Sequence, residues 1–238
     1  MQEYVDLIVG ICDNEYYVHS AIMEILNANA RNMGLRFSFL HFYSAYGLLL
    51  SEEVMDCLLL DIDMPGTDGI EAARQLNKRR MLYKIIIITS KTERFKEGFE
   101  IGAFRFVTKP ISERELCKAV EDVHNSRIGM DRVQVYRDGI SYNIMQKDIL
   151  FIMADNSSTI IYTDSNELRS GLSLIKWEAL LDKRLFYKCH KSYLLNLGAI
   201  SDIKDKYAIL KSGDKVEISR RKIKEIFIKY MEYDTKYR

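Results

Sequence analysis

Residues 57–73 read CLLLDIDMPGTDGIEAA, and their order decides the fold. The apolar run 57–60 is what a strand buried on both faces looks like, and Asp61 ends it abruptly before a turn at Pro65 and Gly66. Asp68 then stands where a helix N-cap belongs, with Glu71 three residues on and Ile70, Ala73 and Leu76 as an apolar stripe. A carboxylate is thereby set at the carboxyl end of a parallel strand, the edge of an open α/β sheet where ligands bind.

The flanking sequence repeats this design. Residues 4–11 form a β-rich run that ends at Cys12, Asp13 and Asn14, and a helix follows with Val18, Ile22, Ile25 and Leu26 on one face. Residues 35–42 read as a second strand and 44–50 as a short helix. Four isoleucines at 85–88 make a buried strand that stops at Thr89 and Ser90; a helix is expected over 91–100 and a strand over 104–107, which ends in Thr108, Lys109 and Pro110. Ser112 and Glu115 form a capping box for a helix with Leu116, Ala119, Val120 and Val123 inward. Five strands alternating with five helices predict a doubly wound parallel sheet. Asp13, Asp61, Thr89 and Lys109 then share one edge. Two carboxylates, a hydroxyl and an amine are what holding a divalent cation and a phosphoryl group requires. The two prolines of the chain, Pro65 and Pro110, both flank this set, where they fix the loops that aim its side chains.

The segments CDNE, LLLDIDMPGTDG, ITS and FVTKP, in this order at these strand ends, resemble the receiver domain of two-component response regulators over residues 1–125. The resemblance implies the flavodoxin-like strand order 2-1-3-4-5 and phosphorylation of Asp61 by a sensor histidine kinase. It implies Mg²⁺ held by Asp13, Asp61 and the main-chain carbonyl of Asp63. Lys109 and Thr89 would contact the phosphoryl group, and Phe106 would be the switching aromatic. The pattern departs at Asn14, where receivers carry a second acidic residue; one negative charge is missing from the metal site, which bears on Mg²⁺ affinity and phosphoryl lifetime. The pair Asp61 and Asp63 also fits the D-x-D of haloacid-dehalogenase-type phosphatases. Against that reading, Pro65 stands where those enzymes favour Thr or Val, and the nearest later acidic pair, Glu121 and Asp122, lies inside a helix. No enzymatic role is expected.

Composition divides the chain. The net charge of +1 conceals −5 over residues 1–124 and +6 over 125–238, and residues 184–229 hold 12 basic against 5 acidic side chains. An acidic front and a basic back suit a regulated part joined to one that meets an anion. With 47% apolar residues among 238 the chain can build sizeable cores. It has no apolar run of membrane-spanning length, and Glu3 and Asp6 stand at the start where a signal peptide would be basic, so a cytoplasmic protein without membrane contact is expected. Cys12, Cys57, Cys117 and Cys189 lack metal-ligand or C-x-x-C spacing and read as reduced thiols.

A short linker is expected over 126–131, and the texture changes after it. Short β-rich runs at 133–136, 139–144, 148–153, 159–163, 207–210 and 215–218 predict a mostly antiparallel β domain over 132–238. One helix is expected behind Ser173, with Leu174, Trp177, Leu180 and Leu181 on one side; another behind Ser219, with Ile223, Ile226, Phe227 and Tyr230 apolar. Two basic clusters stand out, KCHKSYLLN at 188–196 and SRRKIK at 219–224. Cations at a helix start oppose the macrodipole and are costly unless an anion binds there.

Together with DILFIMA, SLIKWEALL, FYKCHKSYLLNLGAI and VEISRRKIKEI, these clusters resemble the LytTR-type DNA-binding domain of LytR- and AgrA-like regulators. The resemblance implies loops entering successive grooves of double-stranded DNA at a repeated site. Lys191 and Arg221 match positions that contact bases or nearby backbone, and the loop at Asn156, Ser157 and Ser158 matches a third contact region. His190 joins the DNA-facing set, while Lys188, Arg220, Lys222 and Lys224 suit phosphates. The whole chain then reads as a bacterial response regulator that dimerises when phosphorylated, through the last two receiver helices and the strand between them, and regulates transcription. A phospho-switched module whose basic face meets an acidic protein is the other reading. Cys189, between lysines and beside His190, is read as a buried small residue in preference to a redox sensor.

Overall fold

The structure, a computed structural model, describes residues 4–79, 83–137 and 140–237, so Glu3 and Gly139 of the sequence reading lie outside the described residues. The chain divides into two compact units, Met1–Asn125 and Ser126–Arg238.

The first unit is a five-stranded parallel sheet in the order β2-β1-β3-β4-β5, formed by Val5–Cys12, Leu35–Phe42, Cys57–Asp61, Lys84–Thr89 and Arg105–Thr108 as β1 to β5. Helices α1 (Tyr16–Met33), α2 (Ala45–Leu50), α3 (Gly69–Lys78), α4 (Phe95–Glu100) and α5 (Glu113–Ser126) make the crossovers. The unbroken apolar runs follow from burial on both faces. Leu59, Ile86 and Ile88 enter one core with Val18 and Ile22 of α1 and Leu116 and Val120 of α5. Leu58, Leu60, Ile85 and Ile87 enter the other with Leu48, Ile70, Leu76 and Ile101. Each such side chain removed from water contributes about 1.5–3 kcal/mol, which is why a polar residue in these strands is confined to their ends.

Helix starts follow the sequence with one correction. Asp68 caps α3 by accepting from the Ile70 amide at 2.7 Å, and Ser44 caps α2 by accepting from Gly47. The helix expected over 91–100 is a 3₁₀ turn, Thr92–Arg94, followed by α4, because the Thr89 hydroxyl takes the Lys91 amide and tightens the chain there. Glu115 accepts from the Thr108 hydroxyl at 3.2 Å, so its carboxylate ties β5 to α5.

The second unit is antiparallel throughout. Its main sheet runs β10-β9-β8-β12-β11, made by Glu167–Ser170 (β10), Ser158–Thr163 (β9), Ile149–Asp155 (β8), Tyr193–Asn196 (β12) and Phe186–His190 (β11). A hairpin of β6 (Arg132–Arg137) and β7 (Ile140–Met145) and a three-stranded sheet of β13 (Ile200–Lys204), β14 (Tyr207–Leu210) and β15 (Lys215–Glu217) complete it. Trp177 of α6 (Leu174–Leu180) is fully buried, and its indole N–H donates to Thr159 Oγ1 at 2.9 Å. Leu180 and Phe227 of the expected apolar faces are each 53% exposed; Leu181 and Ile226 are the residues that enter the cores. Within residues 126–131, Gly129 and Asp131 accept from the amides of Lys147 and Gln146, so this stretch is hydrogen-bonded into the second unit. Among the described residues no helix is long and apolar enough to cross a membrane.

Candidate phosphoacceptor site and basic face

Strand register brings the four polar strand ends of the first unit together. Cys12 pairs with Leu60, Asp61 with Ile88 and Thr89 with Thr108, so Asp13, Asp61, Thr89 and Lys109 leave the sheet side by side. Gly69 allows it: a Cβ there would collide with the Asp61 carbonyl oxygen and the Ile62 Cα, so α3 starts against the main chain of the central strand.

Asp13 and Asp61 are 2% and 5% exposed, and Lys109 Nζ donates to Oδ2 of each at 2.8 Å. Burial alone would lower the Lys109 pKa; the hydrogen bonds to Asp13 and Asp61, with their charges, more than reverse this and hold it above its ordinary value. The second carboxylate oxygens accept main-chain amides, Asp13 Oδ1 from Glu15 at 2.8 Å and Asp61 Oδ1 from Asp63 at 3.0 Å. Lys109 precedes Pro110 in a cis peptide, and its amide donates to the Thr89 carbonyl.

Two carboxylates against one ammonium leave this pocket net negative, which suits a divalent cation. Mg²⁺ takes one or two carboxylates and otherwise keeps carbonyls and water. Among the described residues no three His, Cys, Asp or Glu side chains gather around one point. The Asp63 side chain, in particular, pairs with Lys91 Nζ at 2.7 Å, a hydrogen bond that holds its carboxyl below the usual range. Asp63 therefore has only its main chain to offer a metal here, and it is poorly placed as the general acid of a D-x-D phosphatase.

Thr89 is fully buried, its Oγ1 accepting from Lys91 N–H at 3.0 Å. Phe106 lies between Phe95 and Phe99, each ring centroid 4.7 Å away, in space left by Gly98, where a Cβ would come within 2.5 Å of the Phe106 ring. Two features escaped the sequence reading. Arg94 links both loops of the pocket, bonding Asp68 at 2.8 Å and Glu97 at 2.9 Å. His19 is buried, with Nε2 2.9 Å from the Asp13 carbonyl and Nδ1 2.9 Å from Nδ1 of His41. Burial, then the neighbouring His19, lowers the His41 pKa. No local spacing announces a pair that sits 22 positions apart on two elements.

In the second unit the two basic clusters meet. The Ser219 amide donates to the Cys189 carbonyl at 2.9 Å and Lys222 Nζ to the Lys188 carbonyl at 2.5 Å. The Ala154 amide donates to the Ser192 carbonyl at 2.8 Å, which sets the Asn156–Ser157 turn beside the β11–β12 turn at Lys191. Residues 220–222 form a 3₁₀ turn before α7 (Ile223–Tyr237), and Ser219 makes no side-chain cap bond. Lys191, Arg220, Arg221 and Lys224 are exposed and have no ion pair among the described residues. Lys188 differs, being paired with Glu178 at 2.9 Å. His190 accepts from the Ser192 amide and lies with its ring centroid 5.7 Å from that of Tyr193 in a tilted contact, and Asn156 takes a left-handed φ of 52° in its turn. Burial pushes the Cys189 thiol up to about 12, the environment of an inert thiol.

Residues 9–121 match the response regulator receiver domain and residues 140–230 the LytTr DNA-binding domain. The chain is similar to the transcriptional regulatory protein BtsR of Escherichia coli K12, 28% identical over 188 residues that cover 72% of this chain and 77% of that protein. It is 24% identical to the transcriptional regulatory protein YpdB of the same organism, over 74% of this chain and 80% of that one. Among solved structures, the LytTr DNA-binding domain of a Bacillus cereus response regulator matches 43% of this chain and 98% of its own at 20% identity and a TM-score of 0.39.

Proposed function

This chain belongs to the response regulators that join a receiver domain to a LytTR DNA-binding domain, a transcription regulator and not an enzyme, and from that premise we propose that phosphorylation of Asp61 by a histidine kinase controls its hold on DNA. The observation that carries the proposal is the Lys109 ammonium shared at 2.8 Å between the buried carboxylates of Asp13 and Asp61. Asp61 is the acceptor: its carboxylate oxygen bonds the phosphorus of a phosphohistidine as the P–N bond breaks and the departing imidazole takes up a proton. Asp13 and Asp61, with the Asp63 carbonyl, would hold Mg²⁺, which when bound offsets charge on the phosphoryl oxygens. Lys109 neutralises a further oxygen. The Thr89 hydroxyl, whose oxygen accepts from Lys91, keeps its proton to donate to the phosphoryl group. Its turn toward that group biases the loop after β4 and lets Phe106 follow, a population shift paid through one new charge-assisted hydrogen bond.

On the second unit, Arg221 and Lys191 read base edges, and Arg220 and Lys224 hold phosphates. Asn156 and His190 line the same face, while Lys188 acts through its pair with Glu178. Phosphorylation pairs two chains through α4, β5 and α5, and the pair occupies a repeated site in duplex DNA. The protein acts in the cytoplasm. The test is treatment with acetyl phosphate and Mg²⁺, borohydride trapping and peptide mapping. Reduction should fall on Asp61 alone and vanish in Asp61→Asn; trapping elsewhere, or surviving in the variant, would overturn the assignment.

A further inference from the structure

His19 is 1% exposed on the inner side of α1, beside the apolar Val18 and Ile22. A buried imidazole there needs its two nitrogens satisfied. Nε2 lies 2.9 Å from the carbonyl oxygen of Asp13 and Nδ1 2.9 Å from Nδ1 of His41. A carbonyl only accepts, so Nε2 carries the hydrogen. In the tautomer with its one hydrogen on Nε2, the ring presents Nδ1 as an acceptor, and His41 donates from its own Nδ1. The hydrogen bonds therefore run one way, from His41 at the end of β2, through His19, to the main chain of Asp13. Tyr43 covers the pair, its ring centroid 4.5 Å from that of His19, and Tyr16 stacks on Tyr43 at 6.2 Å.

The hydrogen bonds end on a main-chain acceptor, the Asp13 carbonyl, that takes no main-chain amide among the described residues. β1 stops at Cys12, and α1 begins at Tyr16 with Glu15 as its cap, so neither the sheet ladder nor the helix reaches the Asp13 carbonyl. The remaining polar atoms of Asp13 are held otherwise: its amide donates to Phe42, Oδ1 accepts from Glu15 and Oδ2 from Lys109. Asn14 follows where a second carboxylate is absent and Glu15 is partly solvent-facing, so Asp13 is the buried acid that this strand exit has to aim.

We propose that His19, oriented by His41, is a positioning residue for Asp13: it fixes the Asp13–Asn14 peptide and so the direction in which the Asp13 carboxylate meets Mg²⁺. The inference rests on the reading of Asp13 as a Mg²⁺ ligand. It acts through the main chain, and neither imidazole touches the metal.

Calorimetric titration of the full chain with MgCl₂, alongside thermal unfolding without metal, tests it. His19→Leu should weaken Mg²⁺ binding by about tenfold, as loss of an outer-shell partner does. His19→Gln, whose amide N–H can reach the same carbonyl, should stay within about twofold of wild type, and His41→Leu should fall between them, at about threefold. His41→Leu also serves should His19→Leu fold poorly. Lowered melting with wild-type Mg²⁺ affinity in both leucine variants would assign the imidazoles a packing role and overturn the inference. Equal loss of affinity in His19→Gln and His19→Leu would overturn it too. If the wild type itself binds no Mg²⁺, the reading of Asp13 as a ligand fails, and the inference with it.

Discussion

The two candidate functional surfaces of this protein treat charge in opposite ways. At the carboxyl edge of the parallel sheet, Asp13 and Asp61 are almost wholly buried and share one lysine, so each side chain sets the position of the others. On the β domain, Lys191, Arg220, Arg221 and Lys224 stand in solvent without ion pairs among the described residues. The difference teaches how each surface should respond to substitution. A buried, mutually bonded set acts as a unit, and losing one member disturbs the rest. Exposed cations act separately, each through its own contact with the ligand.

The largest effect that comparison implies is at Asp61. Asp61→Asn should abolish acyl-phosphate labelling and any change of DNA affinity with beryllofluoride, while binding of the untreated protein to DNA stays near wild type by fluorescence anisotropy. A retained response would break the idea of one cooperative pocket. Next comes Gly69→Ala, which changes no charge. Pressing a methyl group against the Asp61 main chain should cost about 1–3 kcal/mol in urea unfolding and slow labelling of Asp61. Unchanged stability would show that α3 can retreat from the strand.

On the exposed face, Arg221→Ala should weaken a specific site more than tenfold and random duplex little, since arginine can bond guanine bidentately; Lys224→Ala should weaken both alike, by about twofold to threefold. Equal losses on both DNAs from both changes would remove the base-reading role of Arg221. The smallest effect is expected at Cys189. With its thiol pushed up to about 12, the thiolate fraction at pH 8 is on the order of one in ten thousand, so iodoacetamide should leave it unmodified in the native state and Cys117, the partly exposed thiol, should react first. Fast alkylation of Cys189 would revive a redox role.

Legibility in the sequence followed periodicity. The parallel strands were visible because burial on both faces forces runs such as Ile85–Ile88 to be apolar throughout, and the polar group that ends each run stands out. β11 is hidden in the sequence, because Lys188 and His190 belong to the basic cluster at 188–196 and break the apolar alternation of a strand that is irregularly paired between Tyr187 and His190. Helical spacing points Leu180 and Phe227 inward, yet α6 and α7 bury narrow stripes centred on Trp177 and Ile226. Asp13, Asp61, Thr89 and Lys109 were legible as a set since each ends a strand. His19 was not, because its partners, the Asp13 carbonyl and His41, are brought to it by the fold.

The central claim is that the buried pocket governs the exposed face, and selection of binding sites from a random duplex pool tests it most directly. It would be run with and without beryllofluoride and Mg²⁺, on wild type and Asp61→Ala. The account expects a repeated motif whose recovery is tightened by beryllofluoride in the wild type alone. Enrichment that ignores beryllofluoride, or responds to it equally in Asp61→Ala, would contradict it.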